Sequence, residues 1–287
     1  MSQKITQSIT NKLNTGLSGC SLELINDRIL RKYSPSDSYN LRLKSQADKQ
    51  VLFANRIYKN VDAPQVYNIE ENYFDMEYIA GYTFSEFFST ASVNDVEFVI
   101  KTLFDYFDTL ISTTRIITPS TKILNKINSL KLKTEYKNLI ELLEELVYAF
   151  NLPVPHTFCH GDLTFTNIIF HKNRLFFIDF LDCYVDTFLS DLVKLKQDLY
   201  YLWGLKTQDV HSIRLEQIYK YIWSQLEKRY SSFMDESFMI LDVMNMLRIE
   251  PYLTSDSQRL ILDKMVKSTE LYALSYSPNG GTLESVS

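Results

Sequence analysis

Between residues 21 and 79, apolar and polar positions come in short runs, several of them alternating, separated by turn residues; past Gly81 the apolar positions recur every three or four residues. The first pattern predicts strands over 21–25 and 28–33, joined by a turn at Asn26-Asp27, and further strands over 65–69 and 73–79. One helix is predicted among them, over 46–58. The second pattern predicts helices. Val96, Val99, Ile100, Leu103, Phe104, Phe107, Leu110 and Ile111 line one face of a helix over 94–111, which Asn94 or Asp95 would cap. Further helices are expected over 138–150, 190–203, 208–226, 236–249 and 255–274, and a strand-rich island over 157–180 interrupts them.

This layout predicts an α+β protein. A small sheet-rich lobe would cover 1–80, a larger helical lobe 81–276 with the break at Gly81, and a disordered tail 277–287. Gly and Pro are scarce at seven each, which argues against repeats and long linkers, and 45% hydrophobic with 23% charged residues suits a globular core. Lys and Arg number 30 against 35 Asp and Glu, so the net charge of −5 speaks against a nucleic-acid partner. No run approaches the roughly 20 apolar residues that a membrane-spanning helix needs. Residues 1–13 lack the apolar stretch of a secretory leader, so a cytoplasmic protein without a membrane span is expected. The oligomeric state is left open. Cys20, Cys159 and Cys183 are odd in number with no CxxC spacing, which suggests neither a disulfide framework nor a zinc site; Cys159 reads as a small buried residue. The basic run of Lys122, Lys126, Lys131, Lys133 and Lys137 reads as solvated surface.

The island carries the chemistry. It runs Cys159-His160-Gly161-Asp162-Leu163-Thr164-Phe165-Thr166-Asn167, then two apolar stretches around a His171-Lys172-Asn173 turn, the second ending at Asp179. A hairpin of this kind folds Asp179 back towards the loop, so that three oxygen-bearing side chains converge. Asn167 and Asp179 supply the hard oxygen ligands that Mg2+ favours beside nucleotide phosphates. Asp162 suits the other need of phosphoryl transfer, a carboxylate that orients a hydroxyl and takes its proton. Upstream, the small residues of Gly16-Leu17-Ser18-Gly19 would let backbone N–H groups approach phosphates, or simply make a turn.

His160-Gly161-Asp162 with Asn167, followed by Ile178-Asp179-Phe180, resembles the aminoglycoside phosphotransferase and choline kinase superfamily. The resemblance runs from about Gly16 to Asp191 and implies the two-lobed protein-kinase-like fold, with ATP as co-substrate and Mg2+ as cofactor. It implies Asp162 as catalytic base and Asn167 and Asp179 as metal ligands, with His160 and Asp191 supporting the loop. It also implies nucleotide contacts from Gly16, Ser18, Gly19, the strand cation Arg31, and the hinge positions Glu77 and Ile79. In that family a helix glutamate pairs with the strand cation; here the matching position is Gln50, so the partner of Arg31 is open, with Asp48 a candidate. Protein kinases proper fit less well, because His-Arg-Asp is absent, Leu181 follows Phe180 and no Ala-Pro-Glu appears.

The expected activity is transfer of the ATP γ-phosphate to a hydroxyl of a small molecule. A choline- or ethanolamine-like amino alcohol comes first as acceptor, a sugar or aminoglycoside second; a non-catalytic nucleotide-binding module is the alternative of another class. Asp182 could face such a substrate or cap a turn. Tyr200, Tyr201, Trp203, Tyr219, Tyr221 and Trp223 could form a cage for a quaternary ammonium, or pack the core.

Overall fold

The computed structural model describes residues 12–13, 19–207 and 212–274. The tail over 277–287 and the expected phosphate contacts Gly16 and Ser18 lie outside the described residues.

An antiparallel sheet of order β1-β2-β3-β6-β5 opens the chain: β1 is Lys12–Leu13, β2 Ser21–Asn26 and β3 Ile29–Tyr33. Helix α1 (Asn40–Ala54) follows, then β4 (Val61–Asp62), β5 (Val66–Ile69) and β6 (Tyr73–Glu77). Leu43 and Ala47 of α1 pack on Cys20, Phe74 and Met76, a small core beneath this sheet. The helix starts six residues before the predicted position because a 3-10 turn over Asp37–Tyr39 leads into it. It stops at Ala54, so Tyr58 is buried from a loop, where Asn60 adopts a left-handed φ of 58°.

The chain then crosses through β7 (Tyr82–Thr83) into α2 (Phe84–Thr90) and α3 (Val93–Ile111). Both helices begin in reciprocal capping boxes, Thr83 with Glu86 and Ser92 with Asp95, so Ser92 rather than Asn94 or Asp95 is the N-cap of α3. A hairpin of β8 (Arg115–Ile117) and β9 (Val154–His156) brackets α4 (Ser120–Lys131) and α5 (Lys137–Phe150). Helix α4 occupies the basic run: Ile123, Ile127 and Leu130, at helical spacing, are buried beneath the lysines.

β10 (Ile168–His171) and β11 (Arg174–Phe177) form the predicted hairpin, turning at Lys172 and Asn173 with positive φ. It sits in a second sheet of order β4-β11-β10-β7, so strands from before and after Gly81 clamp its two edges. The remaining helices are α6 (Phe188–Leu199), α7 (Trp203–Thr207), α8 (Ile213–Tyr230), α9 (Glu236–Ile249) and α10 (Asp256–Leu274). The helix expected over 190–203 is broken at Leu202, which takes a φ of 60°. The large core runs without interruption from Phe53 and Tyr58 through α2, α3, the hairpin and the last helices. A sheet-rich N-terminal part and a helix-rich C-terminal part make this the two-lobed protein-kinase-like architecture.

Candidate active site

The loop before β10 is held from beneath by a carboxylate. Asp191, fully buried in the first turn of α6, accepts the backbone N–H of His160 at 2.7 Å and of Gly161 at 2.8 Å. Gly161 has a φ of 91°, and a Cβ there would lie 2.1 Å from the Leu181 carbonyl oxygen, so only glycine fits. The buried His160 ring donates from Nε2 to the Ile178 carbonyl at 2.8 Å and accepts the Asp162 N–H at Nδ1 at 3.2 Å. Burial pushes its pKa down to about 4, which keeps the ring neutral, and the Asp162 N–H at Nδ1 places the proton on Nε2. His160 thereby ties the loop bearing Asp162 to the strand end bearing Asp179. A second buried carboxylate, Asp198 of α6, accepts the Phe165 N–H at 2.9 Å and anchors the 3-10 turn that carries Asn167. Burial raises the pKa of Asp191 and of Asp198 to about 6 each, against the hydrogen bonds they accept.

On this platform Asn167 donates from Nδ2 to the Asp162 backbone oxygen at 2.8 Å and to its carboxylate at 3.2 Å. Both bonds use the amide nitrogen, which leaves Asn167 Oδ1 as the atom with lone pairs to offer. Asp179 takes a φ of 63° after β11 and ion-pairs with Lys32 of β3. A carboxylate and an amide oxygen, both half open to solvent at most, are a donor set that fits a hard divalent cation such as Mg2+. Burial would raise the Asp162 carboxyl, but Lys194 of α6, with Nζ 3.0 Å from Oδ1, more than offsets it and holds the group below its ordinary value.

Arg31 does not reach this site. It pairs in bidentate fashion with Asp75 of the neighbouring strand, at 2.7 and 2.9 Å, and stacks 3.9 Å from the Tyr73 ring centroid. Lys32, on the opposite face of β3 and 4% exposed, is the strand cation that meets Asp179. The helix partner moves with it. Gln46 Oε1 accepts from Lys32 Nζ at 3.0 Å, its amide nitrogen fixed on the Tyr39 hydroxyl at 2.9 Å. Gln50 lies one turn on and donates to the Pro64 carbonyl at 2.7 Å, while Asp48 is exposed. Asp182 is exposed and accepts a hydrogen bond from Ser45 of α1. Gly19 is exposed with a φ of 75°. At the crossing, Glu77 ends β6, Ile79 is buried, its carbonyl accepts from Gly81 at 2.9 Å, and a Cβ on Gly81 would meet Ile169 at 2.5 Å.

Lys194 is the residue that sequence reasoning missed. It has no signal of its own in the sequence: it stands between Val193 and Leu195 on a helix whose other residues are nearly all buried only in the fold. Cys159 and Cys183 are brought to 3.2 Å between sulfurs although 24 residues apart, a proximity that no CxxC spacing announced. The Lys49 ammonium lies beside them, 3.8 Å from Cys159 Sγ and 3.7 Å from Asp186. Of the aromatic candidates, Tyr201, Tyr219 and Trp223 are core residues, and the half-exposed Tyr221 is bonded to Glu97. No helix among the described residues is long and apolar enough to cross a membrane.

A sequence model of the phosphotransferase enzyme family matches residues 20–226. No curated protein matches the chain in sequence. Among solved structures, aminoglycoside phosphotransferase APH(2'')-Ib with ADP bound superposes with a TM-score of 0.59 at 18% identity, over 93% of this chain and 96% of that one. The gentamicin complex of APH(2")-IIa gives 0.59 at 18% identity over 91% of each chain. A choline/ethanolamine kinase family protein from Mesorhizobium loti gives 0.51 at 14% identity, over 96% of this chain and 90% of that one. At these identities the likeness is one of fold.

Proposed function

The chain belongs to the phosphotransferase enzyme family, and from that premise we propose that it is a Mg2+- and ATP-dependent kinase of a small-molecule hydroxyl. The observation that carries this reading is the convergence of Asp162, Asn167 and Asp179 on a loop and hairpin locked by His160, Asp191 and Asp198. Asn167 Oδ1 and Asp179 would hold the metal, which when bound neutralises charge on the phosphates. Lys32, close to Asp179, is the cation we assign to the nucleotide phosphates. Asp162 orients the acceptor hydroxyl and takes its proton; Lys194 keeps it ionised and fixes its direction. Residues 1–80 would form the nucleotide lobe, with Gly16, Ser18 and Gly19 near the phosphates and the backbone of Glu77 and Ile79 near the base, and 81–276 the catalytic lobe.

An acceptor resembling choline is less well supported than the reaction. A quaternary ammonium would call for an aromatic cage, yet Tyr201, Tyr219 and Trp223 are spent in the core, and the cation beside Asp162 is Lys194. A polyhydroxyl acceptor, sugar-like in character, is the reading that these side chains favour. ADP release should be followed over a library of alcohols and sugars, with ATP and Mg2+. Asp162→Asn should lower turnover by at least about a hundredfold and leave ATP affinity little changed. A stable Asp162→Asn protein with near-normal turnover would sink the assignment.

A further inference from the structure

Beyond Asp162 stand α6, α9, α4 and the loop over 180–187, which carries the exposed Asp182 and Asp186. A hydrogen-bond chain leads outwards from the site. Lys194 Nζ, 3.0 Å from Asp162, also reaches Gln197 Oε1 at 3.4 Å, and that oxygen accepts from Asn245 Nδ2 of α9 at 3.0 Å. One residue before Asn245, Met244 Sδ receives the Tyr184 hydroxyl at 3.8 Å. Arg248 follows Met244 by four residues and Asn245 by three, so it stands one turn further along this same face. From the other side, α4 packs on α9, and its Lys122 lines a cavity of about 290 Å³ together with Val185 and Asp186, the residues after Tyr184. Lys126 is one turn beyond Lys122.

Arg248 and the Lys126 ammonium are both half-buried, and neither has an ion pair or side-chain hydrogen bond among the described residues. Their charges bear on each other and on the site. Burial, then Arg248, Lys133 and Arg42, push the Lys126 ammonium down, and Arg248 acts on both Asp162 and Tyr184. Arg31 and Arg229, by contrast, are matched by Asp75 and Asp108. Partly buried like charges repel one another and lose hydration, a cost that an anionic ligand reverses.

We infer that the acceptor alcohol carries an anionic group, a phosphate or a carboxylate, which Arg248 and Lys126 hold while its hydroxyl lies at Asp162. This rests on the kinase reading and narrows its substrate class to phosphorylated alcohols or hydroxy acids. A planar guanidinium takes either oxyanion in bidentate fashion. The reaction stays balanced: the acceptor oxygen bonds to the γ-phosphorus, the bond to the β-phosphate oxygen breaks, ADP leaves, and the hydroxyl proton passes to Asp162.

The test uses the full chain saturated with Mg2+ and a non-hydrolysable ATP analogue, so that added anions report on the acceptor side. Matched probes are titrated by calorimetry: glucose, glucose 6-phosphate and glucuronate, then glycerol, glycerol 3-phosphate and glycerate, with choline as the cation. In each set an anionic member should bind more tightly than its neutral counterpart. Arg248→Ala should weaken that binding by about tenfold or more, the loss of one charged hydrogen bond, and Arg248→Lys should recover part of it. Preference for the phosphate or for the carboxylate member identifies which oxyanion the site takes. Neutral or cationic probes binding as well as the anions would overturn the inference, as would a folded Arg248→Ala protein with unchanged anion affinity. Failure of the Mg2+–nucleotide complex to bind at the outset would instead fault the kinase reading, since Arg248 has no part in that step.

Discussion

Neighbouring residues of β3 should separate cleanly under mutation. Lys32 is 4% exposed, with its ammonium on Asp179 and Gln46; Arg31 points the other way, onto Asp75 and Tyr73. Replacing Lys32 by Met keeps the apolar stem and removes the charged hydrogen bond that we assign to the nucleotide phosphates, worth about 1.5–3 kcal/mol. That corresponds to a loss of affinity of roughly 10- to 150-fold. The folded state should lose little, because Asp179 is 46% exposed and can rehydrate once its partner is gone. Arg31→Ala removes a cross-strand pair whose members are 25% and 13% exposed, so its cost is one of stability, at most about 1 kcal/mol after solvent screening. Nucleotide affinity should stay within about twofold of wild type, since no phosphate contact is lost. Calorimetric titration of ATP with Mg2+, beside thermal unfolding of each variant, reads both quantities. A larger loss of affinity in Arg31→Ala than in Lys32→Met would refute the assignment of the strand cation.

The anchors of the loop before β10 give a stability prediction: Asp191→Ala leaves the His160 and Gly161 N–H groups unpaired in a buried site, at about 1–3 kcal/mol each, so denaturant unfolding should show a loss of several kcal/mol. A loss under about 1 kcal/mol would mean the loop finds other partners. A pH prediction follows from His160, whose folded pKa of about 4 lies below the ordinary 6.5, so the unfolded chain takes up the proton first. Its contribution to stability is therefore full above pH 6.5 and drains away as pH falls towards 4, by up to roughly 3 kcal/mol. The stability gap between wild type and His160→Gln should shrink over that window; a gap independent of pH would show that the imidazole is not held neutral by burial.

How much of this could be read beforehand depended on how local the determinant was. The hairpin was legible because Lys172 and Asn173 mark its turn and the runs on either side are apolar, and the helix expected over 236–249 coincides with α9. Helix α1 was misplaced by six residues at its start, since Leu43 is the one buried residue over 40–45, too little to show a period. Which of Arg31 and Lys32 faces Asp179 was not legible at all. Two adjacent cations on a strand differ only in which face they take, and that is set by pairing of β3 with β6 at Arg31–Asp75 and Lys32–Phe74. The helix position was likewise out of reach of the sequence: Gln46 lies beneath Lys32, and Gln50, one turn on, bonds the Pro64 carbonyl instead.

Helix α6 shows where the remaining information lay. Buried on nearly every side, it still carries Asp191, Lys194, Lys196, Gln197 and Asp198, groups that would be costly to desolvate unless each had a partner. Each has one. Asp191 holds the loop before β10, Lys194 the carboxylate on that loop, Asp198 the turn beneath Asn167, Gln197 the amide of Asn245, and Lys196 the buried Asp242 of α9. In the sequence this segment reads as an ordinary amphipathic helix, because Lys194 and Lys196 look like its solvent face. Only when the third-dimension neighbours cover that face does the lysine content become a demand for carboxylates, and two of those carboxylates, Asp162 and Asp242, come from opposite ends of the C-terminal half. A buried charged helix of this kind couples the site to the fold: the groups that align Asp162 and Asn167 are the ones that keep α6 from paying for its own desolvation. Substitutions here should thus change turnover and stability together, whereas Arg248, outside that hydrogen-bond network, should change acceptor binding with little loss of stability.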